Sequence, residues 1–189
     1  MNKRHNPSPL RVYHGSDFPT RSLDPKWMAH AEANQQEGVG IYFSTNLDTA
    51  KRYGSDIIFA DIDLDRFVPS RDDVSKHIST QQLAEILLHM DRALSGDEMY
   101  YFVTDWLEYP SNTPLSYRAA YKIAKAYSDS EVRHLQNVWA YAIDEVAFVN
   151  AWNSVLDFDG TMNEVVPGEI FFAVINPEIT VFEFNPAEP

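Results

Sequence analysis

Three side chains in this sequence stand where they suit a flat, ribose-bearing ligand: His14, Tyr42 and Tyr53. His14 lies in "VYHGS", directly before Gly15 at the end of a short apolar run. Glycine there lets a ligand approach bare backbone, and the imidazole beside it can hydrogen-bond a sugar hydroxyl. The plainer alternative is an ordinary turn. Tyr42 and Tyr53 belong to "GVGIYFSTNLDTAKRYG", the first at a strand end and the second on the helical turn that follows. Both rings can then face one cleft and sandwich an aromatic ring, offset stacking adding about 0.5–1.5 kcal/mol beyond area burial. The alternative is core packing, since the chain holds 10 tyrosines. Gly38 and Gly40 would let the chain turn tightly into the strand that presents Tyr42.

Other chemistries find little support. There are no cysteines, which removes disulfides, thiolate catalysis and cysteine-held zinc. The 6 histidines include no His-x-x-x-His pair. "DIDLDRF" alternates Asp61, Asp63 and Asp65, but lacks the central glycine and closing glutamate of a calcium loop, so a solvated strand face is expected. Neither a phosphate-binding loop nor a G-x-S-x-G elbow is present.

The 189 residues suffice for one well-buried domain, and 44% hydrophobic with 13% aromatic residues make a packed core the expectation. A net charge of −13 argues against a protein that coats nucleic acid, and leaves room for a basic target or a nucleic-acid mimic. The basic start "MNKRHNPSPL" lacks the apolar stretch of a signal peptide. No run reaches the ~20 apolar residues of a membrane span. A cytoplasmic protein follows from these readings, with no membrane partner.

The elements that must position those residues are legible in outline. "LRVYHGS" (Leu10 to Ser16) reads as a first strand, and "DPKWMAHAEANQQ" (Asp24 to Gln36) as a helix with proline in its first turn. Ile41 to Phe43 reads as a strand, capped at Ser44, Thr45 or Asn46 before a short helix to Tyr53. "DIIFADIDL" (Asp56 to Leu64) reads as a half-buried strand. From Ser79 to about Leu156 the signal is helical, including "STQQLAEILLHMDRALSG", "DEMYYFVTDWLEYP", "PLSYRAAYKIAKAYS" and "DSEVRHLQNVWAYAIDEVAFVNAWNSVL". Strands return in "GEIFFAVINP" and "EITVFEF", joined by a tight "NPE" turn. The class is α+β, one domain over 1–189, with helices inserted between early and late strands.

"YHGS", "GIYFS" and the Tyr42–Tyr53 spacing together resemble the ADP-ribosyltransferase superfamily, in its diphtheria-toxin and poly-ADP-ribose polymerase branch. "FDGTMNEVVPGEIFFAVINPEITVF" (Phe158 to Phe182) is similar to the aromatic-Asp-Gly turn and final strands of small bacterial and phage members. The likeness covers about Arg11 to Leu64 and Phe158 to Phe184, and leaves out the helical block. It implies a split β-sheet core: 10–64 would supply the NAD-binding strands, 79–156 a helical insertion, and 158–184 the strands with a catalytic acid.

That resemblance implies a His–Tyr–Glu triad. His14 would bind a ribose of NAD, Gly15 the nicotinamide amide through its backbone, and Tyr42 and Tyr53 the nicotinamide ring; Ser16 lies beside them. Ser44 and Thr45 occupy the place of a Ser-Thr-Ser motif in the sister branch, whose other mark is an arginine near the first strand, where Arg11 stands. That branch also carries two glutamates two apart, and here Glu169 is followed at that spacing by Phe171, which argues against an arginine-modifying enzyme. Three readings of the acid stay open: Glu169, at the start of a strand; Glu164, in the loop before it; or neither, both being ordinary surface glutamates.

The implied activity is mono-ADP-ribosylation of a macromolecule, a protein more than a nucleic acid, with NAD as substrate and no metal. The implied setting is a phage or mobile-element effector in the cytoplasm of the producing or infected cell. Two other readings stay open: an NAD glycohydrolase, and a non-catalytic acidic binding protein on a degenerate transferase fold. The aromatic residues of the helical block, Tyr100, Tyr101, Trp106, Tyr109, Tyr117, Tyr121, Trp139 and Trp152, either close the core or meet a partner.

Overall fold

In a computed structural model, residues 9–18, 22–24, 38–94 and 114–185 are described here. They form a seven-stranded mixed sheet and five α-helices. In chain order these are β1 (Leu10–Ser16), β2 (Ile41–Ser44), α1 (Leu47–Ala50), β3 (Asp56–Ile62), β4 (Phe67–Pro69), α2 (Thr80–Ala93), α3 (Tyr117–Ala126), α4 (Val132–Ala142), α5 (Glu145–Val155), β5 (Gly160–Val166), β6 (Glu169–Val174) and β7 (Phe182–Glu183). The strands lie in the order β4-β5-β6-β2-β1-β3-β7, and only β4 and β5 run parallel.

The sheet has a weak seam. β1 pairs with β3 along its whole length, from Leu10↔Ile62 to Ser16↔Asp56, and β2 pairs with β6 from Ile41↔Val174 to Ser44↔Phe171. Between β1 and β2 the register holds one pair, Tyr13↔Ser44. Two three- and four-stranded halves therefore meet at a junction where the strands otherwise diverge.

Alternation sets the faces, because directly paired residues share a side. Val12, Ile41, Phe43, Ile58, Ala60, Ile62, Phe172 and Val174 line the core side and belong to one continuous buried cluster. The helices complete that cluster with Leu83, Ile86, Leu87, Leu135, Trp139, Phe148 and Trp152. The opposite side carries Tyr42, Ser44, Thr161, Glu169 and Phe171.

Side-chain caps start the helices. Ser79 and Gln82 form a reciprocal capping box on α2. Asp144 caps α5 through the Ala147 amide at 2.7 Å, and Ser116 caps α3 through Ala119 at 3.3 Å. Asn46, of the three candidates, caps α1. The expected helix over Asp24 to Gln36, and "DEMYYFVTDWLEYP", lie outside the described residues, as do Tyr100, Tyr101, Trp106 and Tyr109.

Four expectations need correction. Glu164 lies within β5, not in a loop before the strand. β3 ends at Ile62 rather than Leu64, because Asp63 accepts the Asp65 amide and starts a 3₁₀ turn. "EITVFEF" contributes only Phe182 and Glu183 to the sheet, since only these two residues pair with β3. β4 was not foreseen: three residues ending in proline carry no alternation to detect.

Phe158-Asp159-Gly160 and Asn176-Pro177 prove to be one structural clasp. The Asp159 carboxylate accepts Arg66 at 2.8 Å and the Asn176 amide at 2.7 Å, while the Asp159 carbonyl accepts the amides of Ile175 and Asn176. Asp159 is buried, so these charge-assisted bonds tie the starts of β4 and β5 to the end of β6.

Candidate active site

The junction of β1 and β2 gathers most of the residues singled out in the sequence. His14 Nδ1 lies 2.7 Å from the Tyr42 carbonyl oxygen. A carbonyl only accepts, so the proton sits on Nδ1 and the neutral ring presents Nε2 as an acceptor. The register opposite Ile58 places His14 on the core side, its ring 5.5 Å from that of Phe43. Its link to Tyr42 thus runs through backbone, not between side chains.

Burial pushes the His14 imidazole below its usual 6.5, opposed by the bond to Tyr42 and the charge of Asp56. A histidine kept neutral by folding stabilises the fold fully above pH 6.5, and that contribution drains away as the pH falls from there toward its lower native value. A nuclear magnetic resonance titration should give a His14 midpoint below 6.5. A midpoint at or above that value would overturn this burial argument.

Across the seam, Ser44 Oγ donates to Glu169 Oε1 at 2.9 Å and accepts the Asn46 amide at 2.9 Å. Thr45 fastens the same strand start: its amide donates to the Ile170 carbonyl and its hydroxyl accepts the Ile170 amide, both at 3.1 Å. Ser44 is buried and Glu169 half-buried, on the side of the sheet that also carries Tyr42. Glu164 is elsewhere. It pairs with Ile170 on the other side of the hairpin, is exposed, and accepts the Gly168 amide at 2.8 Å. That is the work of a turn residue, so the two candidate acids separate by face.

Gly38 and Gly40 take φ of +115° and +147°, a bend that only glycine adopts without strain, and the chain then enters β2. The Tyr42 hydroxyl closes this bend by donating to the Gly38 carbonyl at 2.5 Å. Behind it, buried Gln136 of α4 accepts the Val39 amide at 3.3 Å, a support between residues 97 apart that no local pattern signals.

Gly15 has a second reason to be glycine. A Cβ there would fall 1.9 Å from the Ala50 carbonyl oxygen, because α1 lies directly on β1. Gly15→Ala must push α1 away, and overpacking of this kind costs about 1–3 kcal/mol. The denaturant midpoint should fall accordingly, and an unchanged midpoint would show that α1 does not rest on β1.

Tyr53 follows α1 and is 57% exposed. It borders an open hollow of about 540 Å³ with Lys51, Arg52, Asp17, Ile57 and Phe184. Tyr42 does not border that hollow, so the two tyrosines do not form the expected sandwich in this conformation. The hollow is also not centred on Glu169, and His14 and Glu169 lie on opposite sides of the sheet, so the structure does not bring these two together.

Arg11 and Ser16 are engaged otherwise. Arg11 forms a two-pronged pair with Asp61 at 2.9 and 3.1 Å and lies 4.3 Å over the Phe59 ring. Ser16 Oγ accepts the Phe18 amide at 3.1 Å. Asp61 and Asp63 of the alternating acidic run thus serve an ion pair and a cap. One Glu-x-x-His spacing does occur, Glu131 to His134, with Glu131 held by Arg133 at 2.6 Å. Among the described residues, no three His, Asp or Glu side chains gather as a metal site, and no helix is long and apolar enough to cross a membrane.

No family model matches this chain, and neither a curated protein nor a solved structure matches it.

Proposed function

We propose that this chain is a mono-ADP-ribosyltransferase that takes NAD as substrate, with Glu169 as its acid, acting on a macromolecule as a phage or mobile-element effector. The observation that carries this reading is the Ser44–Glu169 hydrogen bond at the seam where His14 is anchored to the Tyr42 carbonyl. It joins residues 125 apart in sequence, one the candidate acid and the other at the place of the sister branch's Ser-Thr-Ser motif.

The chemistry asks for positioning and one negative charge. The bond between ribose C1′ and the nicotinamide nitrogen breaks, its electron pair neutralising the ring, and the sugar becomes cationic. Glu169, oriented by Ser44 through Oε1, would accept the ribose 2′-hydroxyl on its other oxygen and stabilise that cation. The acceptor nucleophile then bonds C1′ and loses its proton. His14 Nε2 would accept a ribose hydroxyl after a local opening of the seam, since its ring now lies on the core side. Tyr53, already exposed on the hollow, would stack on a flat ring.

A binding-protein reading is favoured by one specific observation: the Tyr42 hydroxyl and the His14 imidazole are both spent on backbone carbonyls. Labelled NAD incubated with the protein and cell lysate separates the possibilities. A label on a macromolecule supports the transferase. Free ADP-ribose with nicotinamide and no labelled macromolecule means that water is the acceptor. Intact NAD with folded protein, across lysates, favours the binder.

A further inference from the structure

We propose that the exposed face of α3 is a docking surface for single-stranded nucleic acid, independent of the site at the seam. α3 reads YRAAYKIAKA and carries no acidic residue, in a chain with 28 acidic against 15 basic residues. Arg118, Lys122 and Lys125 recur at helical spacing and are exposed, while Ala119, Ala120, Ile123 and Ala124 are buried behind them.

Among the described residues, Arg11, Lys51, Arg66, Lys76 and Arg133 pair with Asp or Glu, while Arg52 and Arg92 do not. Arg118, Lys122 and Lys125 make no ion pair among the described residues. Beside them stand Tyr117 and Tyr121, 49% and 40% exposed, with ring centroids 6.2 Å apart and planes 36° from parallel. Two open tyrosines one helical turn apart, next to a row of unpaired cations, match the two needs of a single strand: π-faces for bases and positive charge for phosphates.

The net charge of −13 does not forbid this. The Debye length is about 10 Å at ~0.1 M salt, so distant carboxylates are screened while contacts on α3 are not. An anionic membrane fits less well, because the helix buries Ala119, Ala120, Ile123 and Ala124, and its exposed large apolar side chains are two hydroxyl-bearing rings. Three phosphate contacts predict a salt slope of about −2 and hence roughly 20-fold weaker binding between ~50 and ~200 mM salt.

The test is fluorescence anisotropy of the full chain with labelled oligothymidylate and oligouridylate. Lys122→Glu with Lys125→Glu should weaken binding by about tenfold or more, and Tyr121→Ala by about fivefold or more, with the melting temperature unchanged. Absence of binding at low salt overturns the proposal, as does binding that the variants leave unaltered. Variant-sensitive binding to phosphatidylserine vesicles without oligonucleotide binding would replace it with a membrane surface. Equal competition by polyglutamate would reduce it to charge alone.

Discussion

On the proposed transferase reading, Glu169→Gln is expected to cut transfer of ADP-ribose from NAD by about 10²–10³-fold, the scale on which one preorganised transition-state contact acts. The substitution keeps the shape of the side chain and a carbonyl oxygen for Ser44, so the Ser44–Glu169 contact and the start of β6 survive. Only the negative charge goes, and that charge is what a developing ribose cation needs. The loss should therefore fall on kcat, with KM for NAD little changed. Glu164→Gln serves as the comparison: its contact is with Gly168 inside the hairpin, so activity should stay near that of the parent. Full activity in Glu169→Gln, or loss only in Glu164→Gln, would sink the assignment of the acid. Thermal melting of both variants separates loss of chemistry from loss of fold.

Phe172→Ala should destabilise the protein by about 3–5 kcal/mol, a large part of what a domain of this size has to spare. Phe172 is fully buried in β6, pairs with Phe43 on one side and Met162 on the other, and meets the Phe67 ring edge-on at 5.1 Å. Its removal leaves a cavity shared by β2, β4, β5 and β6, the same strands that set Glu169 against Ser44. Phe171, one residue earlier, pairs with Ser44 and Asn163 on the other side and is only half-buried. Phe171→Ala should cost clearly less. Urea denaturation of the pair tests the register itself, because a slip by one residue exchanges the two faces and would reverse the order of the losses.

Much of the framework was open to reading in the sequence, for reasons that are local. β1 was delimited to its end residues by an apolar run closed by glycine, and α2 by a Ser79 cap and helical spacing. Asp144 and Ser116 cap α5 and α3 in the same manner, but the sequence carries one helical signal through both α4 and α5 and marks neither cap. Polar strand and turn residues were harder. Glu164 is expected from sequence in the loop before the strand that begins at Glu169, yet it lies within β5, whose second half is exposed and so carries little apolar signal.

The candidate site divides in the same way. The sequence by itself determined the residue types and their spacing, and the presence of two rival glutamates. Only the tertiary structure decided that Glu169 meets Ser44, that Glu164 closes a hairpin, and that Tyr42 and Tyr53 stand apart. It also decided that Gly15 lies beneath the Ala50 carbonyl, and that Asp159 clasps Arg66 and Asn176. The physical reason is that a face is a matter of register. A strand's side chains alternate with period two, so which of two acids faces Ser44 depends on pairing between segments more than a hundred residues apart, and no local pattern encodes that.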